Sequence, residues 1–388
     1  MRNRSVAIFL TLAIGLILVQ TVPFARAGGL GDFNGDGSVD AVDYAEFPSC
    51  LGGPGGGLGA GCDSFNFDGD LDVDVFDFAG FQLAFGTTQE VVIEAVTIGN
   101  PSNAGEQSRL QNGDPTFYGG VAYTYNIGKY EVTAGQYVTF LNAVAATDTY
   151  NLYHTRMDYD ADPTRIGCNI KRAGESGSYT YSVAFDWANR PVNYVSWADA
   201  VRFVNWLHNG QPTGTQNLST TEDGSYFING IHENSDNHLE DVVREPDATW
   251  ILPTDSEWYK AAYHKNDGVT GNYWNYGTSS DPKPDNDLID PDPGNNATHF
   301  RNIGDYTIGA PYNRTEVGTH ENSASPYGTF DQAGNVMEFT ETVPESDIRR
   351  IHDGAWDTAG GMAVFDIDDV MHSSDQFDNL GFRVALIP

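Results

Sequence analysis

Two acidic strings near the N-terminus constrain the fold of this chain more than any other feature. DFNGDGSVDAVD occupies residues 32–43, and NFDGDLDVDVFD occupies residues 66–77. Carboxylates packed this closely repel one another at neutral pH unless a cation or hydrogen-bond donors offset their charge. Each string is therefore expected to close around a cation.

The spacing of oxygen-bearing side chains in both strings is typical of a calcium loop. Calcium takes six to eight oxygen ligands, which a 12-residue loop supplies from positions 1, 3, 5, 7, 9 and 12. In the first string these positions hold Asp32, Asn34, Asp36, Ser38, Asp40 and Asp43. In the second they hold Asn66, Asp68, Asp70, Asp72, Asp74 and Asp77. Position 6, the sharp turn, is Gly37 in the first loop but Leu71 in the second, which predicts strain in the second copy.

A short apolar stretch follows each loop and is predicted to form one exit helix. These stretches are YAEF from Tyr44 and FAGF from Phe78. Paired calcium loops with one helix each resemble the type I dockerin family over residues 31–86. The resemblance implies a small α-helical module that folds on calcium and attaches to a cohesin-like module or a cell-surface scaffold. It points to no particular cohesin-contacting residue in this chain.

The first 27 residues have the pattern of a secretory signal peptide. Arg2 and Arg4 precede an apolar run at residues 6–19, and Ala-Arg-Ala at residues 25–27 fits the small-residue cleavage rule. We expect cleavage after Ala27, a secreted or cell-surface protein, and no membrane span in the mature chain.

The chain has three cysteines, and two of them flank the glycine-rich segment between the acidic strings. In an exported protein, Cys50 and Cys62 are expected to form a disulfide. Cys168 is left over, with no assigned role.

The charge balance excludes nucleic-acid binding. The 388 residues contain 20 Lys and Arg against 54 Asp and Glu, for a formal net charge of −34. No basic face remains to pair with phosphates. The acidity suits either a calcium binder or a soluble exported protein.

Residues 90–388 are predicted to form an α+β domain with few regular elements. Three helices are expected to begin at capping boxes, where a Ser or Thr oxygen accepts a free backbone N–H. These boxes start at Thr133, Ser196 and Thr254. Residues 210–249 and 278–318 are rich in Asn, Asp, Gly and Pro, and we predict that they form surface loops.

Six motifs in this region follow one another in a characteristic order. They are IGKYEVTAGQYVTFLN (127–142), RPVNYVSWADAVRFVNWL (190–207), WILPTDSEWYKAAY (250–263), YGTFDQAGNVMEF (327–339), IHDGAW (351–356) and LGFRVA (380–385). In this order they resemble the sulfatase-modifying-factor family, that of the formylglycine-generating enzymes. The resemblance implies a variant C-type-lectin-like fold with bound calcium. It makes Asn335 and Glu338 of the GNVME turn candidate calcium ligands, with a purely structural turn as the alternative.

The same resemblance does not extend to the oxidase chemistry of the family. Its oxidase members hold copper with two cysteines, whose positions fall at about Thr358 and Ala363 in this chain. No cysteine follows Cys168, and a copper(I) site needs thiolates. We therefore assign no catalytic residue.

Two further groups of residues suit either a functional site or a purely structural role. A two-histidine, one-carboxylate metal site would draw on His352, His372, Asp366, Asp368, Asp369 and Asp375, which are otherwise surface polar residues. Trp274 and its neighbouring tyrosines would suit stacking on a sugar or peptide, but they also suit a core.

Three functions are compatible with these patterns. The favoured one is a secreted, anchored binding protein whose lectin-like domain recognises a glycan or a protein without catalysing a reaction. The alternatives are a divergent formylglycine-generating-type oxidoreductase, with sulfatase maturation or non-haem iron chemistry, and a scaffold component.

Overall fold

The computed structural model describes residues 30–34, 37–59, 61–67, 70–84, 90–107, 116–160, 164, 166–231, 239–302, 304–352, 354–358 and 370–387. The predicted signal peptide lies outside the described residues. Within them the chain is a mixed fold of short helices and short strands joined by long loops, as the α+β prediction requires.

Six α-helices are present in the described residues. They are α1 (Ala41–Cys50), α2 (Val75–Ala84), α3 (Ala134–Val144), α4 (Phe185–Ala188), α5 (Trp197–His208) and α6 (Asp255–Tyr263). Single 3₁₀ turns span Asp63–Phe65, Thr155–Met157 and Leu239–Asp241.

The strands of the large domain are two to five residues long. They are β1 (Ala95–Ile98), β2 (Glu106–Gln107), β3 (Phe117–Tyr118), β4 (Tyr125–Gly128), β5 (Ile170–Ala173), β6 (Thr180–Val183), β7 (Trp250–Ile251), β8 (Phe300–Asn302), β9 (Asp305–Tyr306), β10 (Met337–Phe339), β11 (Ile348–His352), β12 (Val370–His372), β13 (Leu380–Gly381) and β14 (Ala385–Leu386).

Two four-stranded sheets organise the large domain. The first has the order β1-β4-β14-β7 and is antiparallel throughout. The second has the order β12-β11-β10-β13, with β10 and β13 parallel and the other pairs antiparallel. Since β13 and β14 lie at the end of the chain, the C-terminal segment is needed to complete both sheets.

All three predicted capping boxes are confirmed. Thr133, Ser196 and Thr254 each accept the backbone N–H three residues later, and that residue's side chain accepts the cap's own N–H. Helices α3 and α5 pack into the main core, where Phe140 and Phe203 meet edge to face with ring centroids 5.4 Å apart, and α6 packs into two smaller apolar clusters. The caps therefore orient the helices that carry most of the apolar core.

The prediction that residues 210–249 form a surface loop is wrong for part of the described segment. Glu222 and Tyr226 of this segment are buried against α5. Glu222 accepts two hydrogen bonds, of 2.7 and 2.9 Å, from Arg202, which is fully buried in α5. A polar segment is needed here because a buried guanidinium requires a counter-ion.

Residues 278–318 likewise depart from the surface-loop prediction. Buried Arg314 donates to the backbone carbonyls of Ile166, Gly167 and Asp378. Asp292, also buried, accepts from Asn296 Nδ2 at 2.7 Å and Ser323 Oγ at 2.7 Å. The segment holds neighbouring loops together through polar contacts in place of regular strands.

The small N-terminal module has its own aromatic core and touches the large domain. Phe65 stacks on Phe33 with centroids 5.3 Å apart, and Phe33 in turn stacks on Phe185 of α4 at 6.4 Å. A Cβ placed on Gly37 would lie 2.6 Å from Thr139 Cγ2 of α3. The first acidic string therefore packs against the large domain.

Candidate functional site

The first acidic string folds into a loop organised by its twelfth residue. The buried carboxylate of Asp43 accepts the backbone N–H of Phe33 at 2.7 Å, of Asn34 at 3.1 Å and of Asp40 at 2.8 Å. Asp40 then caps α1 by accepting the N–H of Val42 at 2.8 Å. Burial raises the pKa of Asp43, against the three N–H groups that lower it.

The second string repeats this arrangement at the same loop positions. The carboxylate of Asp77 accepts the N–H of Phe67 at 2.7 Å and of Asp74 at 2.8 Å. Asp74 caps α2 by accepting the N–H of Phe76 at 2.7 Å. The chain therefore builds one loop-and-helix unit twice, with positions 2, 9 and 12 in the same roles.

The turn at position 6 adopts a left-handed backbone in both loops. Gly37 has a φ of 82°, and Leu71 has a φ of 71°. Leu71 is 68% exposed, so its side chain gains little packing in return for this conformation. A branched residue in the left-handed region is strained, which agrees with the sequence-based expectation for the second loop.

Three carboxylates of the second loop converge. Asp70, Asp72 and Asp77 each offer an oxygen, and these oxygens lie within 4.8 Å of one another. Asp72 is buried, and its Oδ1 has no hydrogen-bond partner among the described residues. Hard carboxylate oxygens at this separation suit a calcium ion.

The structure describes some of the other predicted loop ligands. Asp36 and Asp68 lie outside the described residues. Asp32 is buried and accepts the N–H of Gly37 at 2.9 Å, across the first loop. Asn34, Ser38 and Asn66 lie in the same loops. Calcium binding by both loops stays a prediction.

Cys50 and Cys62 are joined by a disulfide with their Cα atoms 5.5 Å apart. The bond links the end of α1 to the turn that precedes the second loop. Cys168 is a buried free thiol, and burial raises its pKa.

In the large domain, Glu338 is the counter-ion of a buried arginine. Its carboxylate accepts from Arg383 Nε and Nη2, each at 2.6 Å, and from Trp258 Nε1 at 2.7 Å. Arg383 also donates to the carbonyl oxygens of Gly128 at 3.0 Å and Phe330 at 2.9 Å. With both of its oxygens engaged by these donors, the geometry favours a structural role for Glu338 over the predicted calcium ligation.

Asn335 remains a candidate ligand. It adopts a left-handed turn, with a φ of 68°, and its side-chain oxygen is buried with no partner among the described residues. Its Nδ2 lies 3.5 Å from the carbonyl oxygen of Thr315. A buried acceptor of this kind requires a donor, a water or a cation.

Sequence reasoning missed buried Glu131 and half-buried Asp331, which lie beside the Glu338–Arg383 pair. Both carboxylate oxygens of Glu131 are buried without a partner among the described residues. Burial, followed by the charge of Asp331, raises the pKa of Glu131 well above its usual range. Burial also raises the pKa of Asp331 to about 6, against a hydrogen bond from the Gly318 N–H that lowers it. The local signal was a glutamate two residues before the capping box that starts at Thr133.

The two-histidine metal site is not assembled. His352 is buried and stacks on Trp258 with centroids 3.8 Å apart, whereas His372 is exposed. His372 pairs with Ile348 across β11 and β12, four residues from His352. That offset is about 13 Å along the strand at roughly 3.3 Å per residue. Asp366, Asp368 and Asp369 lie outside the described residues, and Asp375 instead accepts the N–H of His372 at 2.9 Å.

His352 faces a different carboxylate. Its Nε2 lies 2.9 Å from Asp255 Oδ1, but the contact lacks hydrogen-bond alignment, and neither atom has a hydrogen-bond partner among the described residues. The pair is buried beneath Trp258, so it forms part of the packing between α6 and the second sheet.

The position expected for a copper-binding cysteine has a structural role. Thr358 Oγ1 accepts the N–H of Ala355 at 3.2 Å, and the Thr358 N–H donates to the Ala355 carbonyl at 3.0 Å. Ala363 lies outside the described residues. The thiolate pair that copper(I) requires cannot form, because Cys168 is the only cysteine of the printed sequence outside the disulfide.

Trp274 does not form an open aromatic platform with its neighbours. Lys265 Nζ lies 3.9 Å from the centre of a Trp274 ring, and Tyr273 is buried, donating to the Ala104 carbonyl. This half-buried cluster therefore belongs largely to the core.

The fold and its motifs place the large domain in a known family. A family model described as "Sulfatase-modifying factor enzyme 1-like domain" matches residues 89–387. The chain belongs to this family. No curated protein matches the chain.

Three solved structures resemble the chain at low sequence identity. CarF is 18% identical with a TM-score of 0.44, covering 76% of this chain and 99% of its own. Treponema denticola variable protein 1 is 17% identical with a TM-score of 0.45, covering 77% and 96%. PvdO from Pseudomonas aeruginosa is 16% identical with a TM-score of 0.38, covering 77% and 93%. At this similarity, none of the three relates the chain to an activity.

In the part of the chain that the structure describes, no helix is long and apolar enough to cross a membrane.

Proposed function

We propose that this protein is a secreted, anchored binding protein. The N-terminal module attaches it, in a calcium-dependent manner, to a cohesin-like module or a cell-surface scaffold. The large domain has a variant C-type-lectin-like fold and binds a glycan or a protein without catalysing a reaction.

The observation that carries the attachment role is the repeated loop geometry. Asp43 and Asp77 accept backbone N–H groups at the same loop positions, and Asp40 and Asp74 cap the following helices. A merely solvated acidic turn has no reason to repeat these contacts. Calcium would supply the positive charge that the gathered carboxylates lack.

Exposed apolar side chains beside both loops support a protein partner for this module. Val42 is 57% exposed at the start of α1, and Val75 and Phe76 are 66% and 69% exposed at the start of α2. Apolar groups at matching positions of two repeats would give a partner two equivalent places to pack.

Binding to a purified cohesin module tests this surface. Val42→Ser combined with Phe76→Ser should weaken calcium-dependent binding, measured by surface plasmon resonance, by at least tenfold. Phe117→Ser provides the matched control, because Phe117 is 62% exposed on the large domain. Equal binding by all three proteins would exclude this surface.

The non-catalytic part of the proposal rests on the cysteines. Two are joined in the disulfide, and Cys168 is buried, so no pair of thiolates is available for copper(I). The Thr358 hydroxyl, at the other expected copper-ligand position, accepts the N–H of Ala355.

Elemental mass spectrometry of the chain from residue 28 onward tests the metal assignment. We expect about two calcium ions in the module and no stoichiometric iron or copper. Asp43→Asn combined with Asp77→Asn should lower the calcium content by about two ions per chain, whereas Glu175→Gln, which changes an exposed acid of the large domain, should leave it unchanged. An unchanged calcium content in the double variant would contradict the loop assignment.

A divergent oxidoreductase is the second candidate, favoured by membership in a family whose description names an enzyme. Stoichiometric iron or copper in the same measurement would support it over the non-catalytic binding role. The metal would then be held by ligands other than a cysteine pair.

A further inference from the structure

The glycine-rich segment between Cys50 and Cys62 lies against the second calcium loop. The N–H groups of Gly52 and Gly53 both donate to the carbonyl oxygen of Val73, at 3.0 and 3.2 Å. The N–H of Gly55 donates to Asp72 Oδ2. The segment therefore contacts positions 7 and 8 of the second loop through backbone donors.

This contact engages only one of the two carboxylate oxygens of Asp72. Gly55 occupies Oδ2, while Oδ1 is buried without a partner among the described residues. Asp72 belongs to the convergent group with Asp70 and Asp77. A buried, unsatisfied carboxylate oxygen within a carboxylate cluster is costly unless a cation binds there.

The two loops differ at the positions that the glycine segment reaches. Position 7 is Ser38 in the first loop and Asp72 in the second, and position 6 is Gly37 in the first and strained Leu71 in the second. The second loop thus combines an extra carboxylate with a turn that its own sequence disfavours. A contact from outside the loop can hold that turn in place.

We propose that the glycine segment between Cys50 and Cys62, closed by the disulfide, supports calcium binding at the second loop. It donates to Asp72 and Val73, holds the Leu71 turn, and directs the free Asp72 oxygen at the cation. The proposal rests on calcium binding by the module, as put forward above. The disulfide matters because it holds both ends of a glycine segment that would otherwise sample many conformations.

Hydrogen-bonding partners of metal ligands typically contribute tenfold to a hundredfold in metal affinity. Loss of the disulfide should therefore lower the calcium affinity of the second loop by about tenfold or more. The calcium affinity of the first loop should change little, because its ligand Asp43 accepts from Phe33, Asn34 and Asp40 and from none of the described glycines of this segment.

Calcium titration by calorimetry, on the chain from residue 28, separates the two loops. Asp43→Asn disables the first loop and Asp77→Asn the second, and Cys50→Ser with Cys62→Ser is then added to each. We expect a calcium affinity loss of about tenfold or more when only the second loop is active, and less than about threefold when only the first is active. Circular dichroism at saturating calcium checks that each variant is folded.

Asp72→Asn tests the same site with the disulfide intact. It should also lower the affinity of the second loop, whereas Asp63→Asn, which removes an exposed charge from the same module, should not. Unchanged affinity in the serine variants, or equal losses at both loops, would overturn the proposal while leaving calcium attachment in place. Absence of calcium binding in the unmodified chain would instead overturn the attachment function itself.

Discussion

At the scale of single residues, the large domain contains buried ion pairs between residues that are far apart in the sequence. Glu338 and Arg383 are both fully buried and form two hydrogen bonds with each other. Such a pair contributes little relative to an apolar replacement, but removing one member leaves an uncompensated buried charge.

Glu338→Ala should therefore destabilise the large domain by about 3–5 kcal/mol, measured by urea unfolding. Glu94→Ala removes the partner of Lys129 in a half-exposed ion pair with a 2.6 Å contact, and should cost about 0–1 kcal/mol. Similar losses in the two variants would mean that Arg383 finds other compensation.

Asp331 gives the domain a predictable pH dependence. Its folded pKa of about 6 lies above the ordinary value of 3.8, so the folded state retains a proton that the unfolded state releases. Its contribution to the free energy of unfolding therefore falls as pH rises from about 4 to 6, by about 1.4 kcal/mol per unit of pKa difference, and is constant above that window.

Asp331→Asn should flatten stability between pH 4 and 6 and raise it at pH 7, measured by unfolding at fixed calcium. The amide oxygen can still accept the Gly318 N–H that Asp331 accepts at 2.6 Å. A variant curve parallel to that of the unmodified protein would show that Asp331 titrates normally.

At the scale of elements, the second acidic loop has a turn residue poorly suited to its backbone. Leu71 has a φ of 71° and is 68% exposed. A left-handed backbone costs a non-glycine residue roughly 1–2 kcal/mol, partly offset in a glycine variant by the greater freedom of the unfolded chain.

Leu71→Gly should accordingly stabilise the calcium-loaded module by up to about 1 kcal/mol, measured by thermal unfolding. Leu288→Gly is the matched control, since Leu288 is 50% exposed and is not among the residues with positive φ. This control should be neutral or destabilising. Destabilisation by Leu71→Gly would show that the side chain contributes contacts of its own.

At the scale of the whole molecule, the first acidic loop also forms the contact between module and large domain. Phe33 stacks on Phe185, and Gly37 lies against Thr139. Phe33 and Gly37 belong to the first acidic loop, whose carboxylates repel one another without a cation.

Calcium removal should unfold residues 31–86 and separate them from the large domain. After chelation we expect rapid proteolysis within the module and faster hydrogen exchange around Phe185, while the large domain keeps its near-ultraviolet circular dichroism. Unchanged protease resistance of the module after chelation would contradict the calcium assignment.

The acidic loops and the three capping boxes could be read from the sequence because they are local. A capping box needs two residues three apart, and the loop's hydrogen bonds join residues within twelve positions, so spacing alone specifies them. The helices begin where Thr133, Ser196 and Thr254 indicated. Leu71 at position 6 predicted a strained turn, and it adopts a left-handed backbone.

Only the tertiary structure decided which distant groups meet. The sequence left Glu338 as either a calcium ligand or part of a structural turn, and its carboxylate pairs with buried Arg383. Glu222 of a predicted surface loop neutralises buried Arg202. Likewise, strand register separates His352 from His372. Such pairings depend on how elements pack and on which charges lose contact with water, and neither follows from residue spacing.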